Sequence, residues 1–237
     1  YGYVTLMPET GVLRTASADR KLPYRHNTEV ARPDYYAVSL EAGKGRTIRA
    51  EMTATERCAR LRFHFPKDGV ARVLVEASRP GIAGHAAVNI QTREITGYNP
   101  HRMDAHLGPE KLPNFKGYVV IQFRQAPEDE KTYGMEDSSA KSSRGAYAEF
   151  KPGQTVEVVF ALGAACDLDG ARATLLELGR ADAAREELRR VREHWRAQLD
   201  QLRVRTPEET VDRLVNGWLP YQVLAARMRA RSGFYQS

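Results

Sequence analysis

Two scarcities in this sequence exclude whole classes of protein. Its 237 residues contain only two cysteines, Cys58 and Cys166, which are too few for a disulfide framework or a zinc cage. Its apolar runs are all shorter than the roughly 20 residues that a membrane-spanning helix needs. We therefore predict neither a membrane-embedded protein nor one that is held together by disulfides.

The sequence also lacks an initiator methionine and a charged-then-apolar leader. It begins at Tyr1 and ends at Ser237 without a polar tail. We therefore expect a piece of a larger protein, and the function of the piece then differs from that of the whole.

The overall composition is that of a globular protein. The chain is 42% hydrophobic and 28% charged, which argues against wholesale disorder. The 36 basic and 30 acidic residues leave a net charge of +6. The arginines of residues 185–196 alternate with Glu186, Glu187 and Glu193, so they form i,i+4 pairs on a solvated helix face. We therefore predict no nucleic-acid partner.

The first two-thirds of the chain has the alternating pattern of antiparallel β-strands, each with one buried and one wet face. Glycine, proline and asparagine separate the apolar runs. Many strands without intervening helices predict a β-sandwich. The predicted strands are residues 34–40, 47–55, 61–65, 71–77, 87–91, 94–97, 118–124, 146–150 and 156–162.

Three connections have distinctive compositions. Residues 42–46 read AGKGR, which superficially suggests phosphate binding. They lack the full spacing of a phosphate-binding loop and lie between strands, so we predict a hairpin turn. Residues 99–115 and 126–144 are predicted to be long surface loops.

After Gly163 the apolar period becomes helical. A first helix is predicted to run to Leu178 with Asp167 or Asp169 as its cap. A second, amphipathic helix is indicated by Ala184, Leu188, Val191, Trp195, Leu199 and Leu202. A third is predicted to begin at a capping box, with Thr206 as cap and Glu209 reaching back, and to be kinked or interrupted at Pro220.

None of the residue types that carry chemistry falls into a recognisable catalytic spacing. His101 and His106 flank Asp104, but they lack the HExxH spacing and further ligands, so we interpret them as solvated loop residues. His64 and His194 are predicted to be surface residues. Neither cysteine has an acid-base partner at a catalytic spacing. The residues alone therefore assign no reaction.

Short motifs run in a fixed order from residue 29 to residue 123. Glu29 precedes a Pro-x-Tyr-Tyr strand at 33–36, and further motifs lie at 95–97 and 118–123. Between them, an ELTAT-R-like strand and an R-F-x-F-P-like strand contain Glu51, Thr53, Ala54, Thr55, Arg57, Arg62, Phe63, Phe65 and Pro66. In these motifs the chain resembles the N-terminal domain of family 92 glycoside hydrolases, the α-mannosidases.

The end of the chain carries other motifs. Arg-Thr-Pro stands at 205–207, LVNGWLPYQ at 214–222 and ARSGFYQS at 230–237. These strings resemble the family 94 glycoside phosphorylases, which include cellobiose phosphorylase and the phosphorylase region of cyclic glucan synthases. In that family the segment leads into the first helices of the catalytic barrel.

Both resemblances imply one architecture. It is a galactose-mutarotase-like antiparallel β-(super)sandwich, followed by linker helices and then by an (α/α)6 barrel. On this interpretation the sandwich is residues 1–165 and the linker helices are residues 166–205. Residues 206–237 are then the first helix or helices of a catalytic barrel that continues beyond this chain.

The two resemblances imply different reactions. Family 92 implies calcium-dependent, inverting hydrolysis of α-mannosides, and family 94 implies inverting phosphorolysis with inorganic phosphate as co-substrate. In both families the catalytic carboxylates lie in the barrel, so the resemblance implies no catalytic residue, metal site or cofactor within this chain. We predict part of a family-92-like mannosidase, with a phosphorylase or a non-catalytic carbohydrate-binding module as the alternatives.

The resemblance also implies a site and partners. Arg231, Tyr235 and Gln236 are candidates for lining the glycan cleft, because the phosphorylase motif approaches its acid there. The expected partners are the chain's own barrel and an oligosaccharide. A mannosidase would be periplasmic or secreted, and a phosphorylase cytoplasmic. The side chains expected to meet barrel helices are Trp218, Leu219, Val223, Leu224 and Phe234, so we expect the chain alone to self-associate.

Overall fold

The computed structural model describes residues 4–16, 18–55, 58–77, 84–89, 91–100, 116–123, 129–133, 145–151, 157–165, 167–177 and 184–224. Strands occupy the first part of the described chain and helices the last part. The strands are β1 (Thr5–Thr10), β2 (Val30–Arg32), β3 (Tyr35–Glu41), β4 (Thr47–Ala54), β5 (Cys58–His64), β6 (Ala71–Glu76), β7 (His85–Asn89), β8 (Glu94–Asn99), β9 (Gly117–Phe123), β10 (Asp129–Tyr133), β11 (Gly145–Phe150) and β12 (Glu157–Ala165).

These strands form two antiparallel sheets. The small sheet has the order β1-β6-β11-β10, and the large sheet has the order β2-β3-β4-β5-β12-β9-β8-β7. Within the described residues only a short 3-10 turn, His26–Thr28, lies among the strands. The predicted fold class, a mainly antiparallel β-sandwich followed by helices, is confirmed.

The core lies between the two sheets because every second side chain of the facing strands is apolar. Across the large sheet, Val38 pairs with Ala50 and Ala50 pairs with Phe63, so all three point into the sandwich. Phe123 of the large sheet meets Phe150 of the small sheet edge to face, with ring centroids 6.0 Å apart. The most deeply buried core side chains are Ile48, Phe65, Val73, Val75, Ile95 and Ile121.

The turn between β3 and β4 is a hairpin, as predicted. Gly43, Lys44 and Gly45 all have positive φ, at 74°, 52° and 74°, and the amide of Ala42 donates to the carbonyl of Arg46 at 2.8 Å. The two glycines are needed because residues with a Cβ rarely adopt this left-handed conformation. The glycines and the lysine therefore shape a turn and make no phosphate loop.

The prediction of one long loop over residues 126–144 is wrong in part. Residues Asp129–Tyr133 form β10, which pairs with β11 at the edge of the small sheet. The other predicted loop lies largely outside the described residues. The third helix also begins differently from the prediction, because its cap is Glu208 and not Thr206.

Two helices follow β12 and cover the outer face of the large sheet. Helix α1 (Leu168–Glu177) begins where Asp167 Oδ1 accepts the amide of Gly170 at 2.6 Å, so Asp167 acts as the cap. Its Ala171 and Leu175 pack on Cys58 and Val120 of the sheet. Helix α2 (Ala184–Leu199) comes next. The predicted apolar stripe included Leu202, but this was wrong, because α2 ends at Leu199 and Leu202 is exposed.

The last helical segment consists of α3 (Glu209–Arg213), a π-helical turn (Leu214–Trp218) and α4 (Leu219–Gln222). The predicted capping box is wrong, because Glu208 is the cap and Thr206 donates its hydroxyl to the Glu208 carbonyl and to Asp212. The prediction that the helix is kinked or interrupted at Pro220 is confirmed in part, because a π-helical turn breaks the α-helical bonding just before the proline while the helical backbone continues through it. The wider turn before it, with Leu219 bonded back to Leu214, places the proline in the first turn of α4, where no amide is needed.

Candidate functional site

The outer face of the large sheet carries a cluster of polar side chains centred on Glu51. Strand alternation places Tyr35, Glu51, Arg62 and His64 on this face. The Glu51 carboxylate accepts a hydrogen bond from the Tyr35 hydroxyl and one of 2.6 Å from Arg62 Nε, and His64 Nε2 lies 3.0 Å from it. The predicted surface histidine, His64, is therefore half-buried and paired.

The surroundings of Glu51 keep its carboxylate ionised. Burial acts to raise the pKa of Glu51, but hydrogen bonds from Arg62, Tyr35 and His64 and the charge of Arg62 lower that pKa to about 2. Burial and the bond to Glu51 raise the pKa of Tyr35. A general acid or base works best with a pKa near the operating pH, so Glu51 is suited to holding structure and not to transferring protons.

The Pro-x-Tyr-Tyr motif gives each tyrosine its own carboxylate. While Tyr35 binds Glu51 on the outer face, Tyr36 donates to Glu29 Oε1 at 2.6 Å. This hydrogen bond is the main cause that raises the pKa of Tyr36 to about 12. The two tyrosines and the two glutamates therefore have a structural role, because their hydrogen bonds hold β3 against the neighbouring segments.

A second polar cluster lies on the outer face of the small sheet. Arg20 forms a buried ion pair with Glu76, and Arg72 pairs with Glu149. Burial raises the pKa of nearby Glu9, whose carboxylate accepts the amide of Arg14 at 3.0 Å. These bonds attach Arg14 and Arg20 to the sheet, which is a structural role.

Helix α2 is attached to the large sheet through charged groups. Arg192 Nε donates to Asp34 Oδ2 at 2.9 Å, and the Asp34 side chain is only 11% exposed. Arg60 of β5 and Glu187 of α2 are both buried. Burial lowers the pKa of Arg60, and the charge of Glu187 opposes that effect. Sequence reasoning missed this charge interaction, although Glu187 stands four residues before buried Val191 on the same helix face, which is an unusual place for a charge.

The NGWLPYQ string contains a clamp on the preceding linker. Asn216 accepts the amide of Val204 and donates to its carbonyl, both at 2.7 Å, as a paired strand would. Asp212 accepts the amide of Thr206 at 2.8 Å. The π-helical turn and α3 therefore fix the path of residues 204–206 into the last helices.

The other side of this helical segment is apolar and exposed. The Trp218 residue is 56% exposed and Val223 is 55% exposed. This set of exposed apolar residues, which we call the α3–α4 apolar face, consists of Val211, Leu214, Trp218, Leu219 and Val223. Exposed apolar side chains grouped in this way are typical of contact surfaces.

The cleft candidates Arg231, Tyr235 and Gln236 lie outside the described residues, so their role stays a prediction. His101, Asp104 and His106 also lie outside them. In the described ranges no group of three or more histidine, cysteine, aspartate or glutamate side chains is arranged to hold a metal ion. No helix in the described part of the chain is long and apolar enough to span a membrane.

Comparison with known proteins gives one family match, to the glycosyl hydrolase family 92 N-terminal domain over residues 1–163. Among curated proteins, the chain is 41% identical over 81 residues to cyclic β-(1,2)-glucan synthase NdvB of Rhizobium meliloti (strain 1021), covering 34% of this chain and 3% of that protein.

Solved structures share the fold. The family GH92 inverting mannosidase BT2199 of Bacteroides thetaiotaomicron VPI-5482 matches with a TM-score of 0.68 and 19% identity, covering 84% of this chain and 27% of that one. The GH92 family glycosyl hydrolase ccman5 matches with a TM-score of 0.73 and 20% identity, covering 93% and 31%. The chain thus spans less than a third of the length of these relatives.

Proposed function

The chain belongs to the glycosyl hydrolase family 92 N-terminal domain family, and from this premise we propose that it is the sandwich and linker of a mannosidase-like enzyme. In that enzyme it would support a catalytic barrel and contribute one rim of a glycan-binding cleft. The observation that carries the proposal is the family match over residues 1–163 on a sandwich that continues into linker helices.

The α3–α4 apolar face is consistent with the proposal that this chain packs against a catalytic barrel. Trp218 and Val223 are more than half exposed. They lie in residues 206–237, where the sequence motifs predict the first helices of the barrel. Because these residues are already nearly half-buried, covering the rest of each stabilises a contact by about 1 kcal/mol. We propose that the remainder of the enzyme packs on this face and is held at a fixed angle by the clamp of Asn216 on Val204.

The reaction we propose is calcium-dependent, inverting hydrolysis of α-mannosides. The described residues do not fit a calcium site, because they bring no three carboxylate or imidazole side chains together. Nor does the Glu51 carboxylate have a pKa suited to proton transfer. We therefore assign the calcium ligands and the catalytic acid and base to the rest of the enzyme.

Activity of the full-length protein on an α-mannobiose tests this proposal. We expect hydrolysis without phosphate, with inversion at the anomeric carbon, and loss of activity when a calcium chelator is added. The chain alone should give no turnover. A full-length protein that cleaves its substrate only with phosphate present would contradict the proposal.

A matched pair of variants tests the packing role. In the full-length enzyme, Trp218→Glu combined with Val223→Glu should lower kcat at least tenfold while circular dichroism shows that the sheets remain folded. Val12→Glu places one such charge on a 76% exposed position of the sandwich and should leave kcat within twofold. Equal effects of both changes would show that the α3–α4 apolar face has no special role.

The second candidate is the front part of a glycoside phosphorylase. It is favoured by the 41% identity over 81 residues to a cyclic β-(1,2)-glucan synthase. This reading predicts that the full-length protein consumes inorganic phosphate and releases a sugar 1-phosphate from a β-glucan. Measuring sugar 1-phosphate and free reducing sugar in the same assay separates the two candidates.

A further inference from the structure

A pocket of about 240 Å³ lies between the turn that joins β2 to β3 and the end of helix α2. Arg32 and Asp34 line it from the sandwich. Arg192, Trp195, Arg196 and Leu199 line it from α2, where the spacing of three and four residues puts them on one helix face. Asn216 closes one side, with its amide already bonded to Val204.

The pocket carries an excess of positive charge. Its lining includes four guanidinium groups, of Arg32, Arg192, Arg196 and Arg203, but only two carboxylates. Asp34 pairs with Arg32 at 3.4 Å and with Arg192 at 2.9 Å, and Asp200 pairs with Arg203 at 2.5 Å. Within the described part of the chain, no carboxylate lies within ion-pair distance of Arg196.

The pocket is also preorganised. The nearly buried Asp34 carboxylate holds two of the guanidinium groups in place, so a ligand does not have to order them. The Trp195 ring is itself fixed against Tyr221, with centroids 5.1 Å apart. An arginine without a carboxylate partner, beside a fixed aromatic ring, offers a bidentate oxyanion contact and an apolar wall.

We propose that this pocket binds a small ligand that consists of a single sugar ring carrying an oxyanion group. The oxyanion, a phosphate or a carboxylate, binds Arg196, and the C–H face of the ring packs on Trp195. A volume of about 240 Å³ is below that of pockets for drug-sized ligands, which favours one ring over an oligosaccharide. The proposal does not depend on whether the enzyme is a mannosidase, because every residue it uses lies in this chain.

Calorimetric titration of the full-length protein tests the proposal with four probes: glucose 6-phosphate, glucuronate, inorganic phosphate and glucose. We expect at least one of the two charged sugars to bind at least tenfold more tightly than glucose and inorganic phosphate, and the preferred one identifies the oxyanion. Arg196→Gln should weaken that binding about tenfold. The control Arg205→Gln removes the same charge from an exposed position outside the pocket and should change affinity less than twofold.

The other outcomes overturn the proposal. If neither charged sugar binds, or if glucose binds as tightly, the pocket does not select an oxyanion. If inorganic phosphate binds as tightly as glucose 6-phosphate, the sugar ring contributes nothing. If both arginine variants weaken binding equally, the effect is one of general charge and not of this pocket. Thermal melts of both variants verify that the fold is retained.

Discussion

At the scale of single residues, the sandwich depends on a carboxylate that three donors hold in the charged state. The Glu51 side chain is 13% exposed. Its carboxylate accepts hydrogen bonds from Tyr35, Arg62 and His64, which lie on neighbouring strands of the large sheet. Its pKa is about 2 in the folded protein against an ordinary value of 4.5. The folded protein therefore binds a proton at this site more weakly than the unfolded chain does.

This difference predicts a pH-dependent contribution to stability. Because the folded pKa is lowered, the stabilisation from Glu51 is fully present above pH 4.5 and is lost as the pH falls toward 2. The shift corresponds to about 3 kcal/mol of free energy of unfolding. We expect Glu51→Gln to destabilise the protein by about 2–3 kcal/mol at pH 7 in urea unfolding, and by only about 1 kcal/mol near pH 3.

A matched variant separates this effect from the general loss of a carboxylate. Glu41 pairs with Arg25 at a site where the side chains are 45% and 75% exposed, so Glu41→Gln should cost less than about 1 kcal/mol at both pH values. An equal destabilisation by Glu51→Gln at pH 7 and pH 3 would contradict the titration argument.

At the scale of elements, helix α2 shows how an amphipathic segment attaches to a sheet whose outer face is polar. Its apolar stripe is short, and buried Val191 is accompanied by buried Glu187 opposite buried Arg60. The charge of Glu187 favours the ionised form of buried Arg60, so the two opposite charges attract each other across the contact between α2 and β5. This attraction therefore favours one position of α2 on the sheet.

A double-mutant cycle tests this role. We expect Glu187→Gln to lower the free energy of unfolding by roughly 2 kcal/mol, because buried Arg60 then loses the favourable charge of Glu187. Replacing both partners, with Arg60→Met and Glu187→Leu, should recover the loss to within about 1 kcal/mol. Tryptophan fluorescence during urea unfolding reports on this region, since both tryptophans, Trp195 and Trp218, lie in the helical part.

Glu193→Gln serves as the control, because Glu193 pairs with Arg189 on the solvated side of the same helix and should cost less than about 1 kcal/mol. If the double replacement is as unstable as Glu187→Gln alone, the buried pair does not determine how α2 binds the sheet.

The elements that sequence reasoning found, and those it missed, differ in how they are buried. Core strands such as β4 and β5 were predicted because one face of each packs into the sandwich and its residues alternate. β10 was missed because it lies at a sheet edge and its sequence, DEKTY, is mostly charged, as edge strands often are. The pairing of Asp34 with Arg192 joins residues 158 positions apart, which no local pattern records.

At the scale of the whole molecule, the chain order of the strands is not their order in space. β12 lies between β5 and β9, and β6 lies between β1 and β11. The last strand thus completes the middle of the large sheet before the chain turns into α1. The alternation of apolar and polar residues, in many strands without intervening helices, predicted the two-sheet class, but this spatial order follows from non-local pairing and was not predictable from that alternation.

The same ordering leaves the last helices at the outside, with an apolar surface and a clamp that fixes its orientation. Residues 204–206 are held by Asn216 and Asp212, so the α3–α4 apolar face is presented on an ordered segment. An exposed, ordered apolar surface favours association between copies of the chain, because the contact removes apolar area from water.

We therefore expect the isolated chain to self-associate in a concentration-dependent way, measured by sedimentation velocity. Trp218→Glu combined with Val223→Glu should return it to a monomer, since charges on this face make its burial unfavourable. Val12→Glu, on an exposed apolar residue of the sandwich, should leave the association unchanged. A chain that is monomeric at every concentration, or that Val12→Glu dissociates equally well, would mean that the α3–α4 apolar face does not drive contact between molecules.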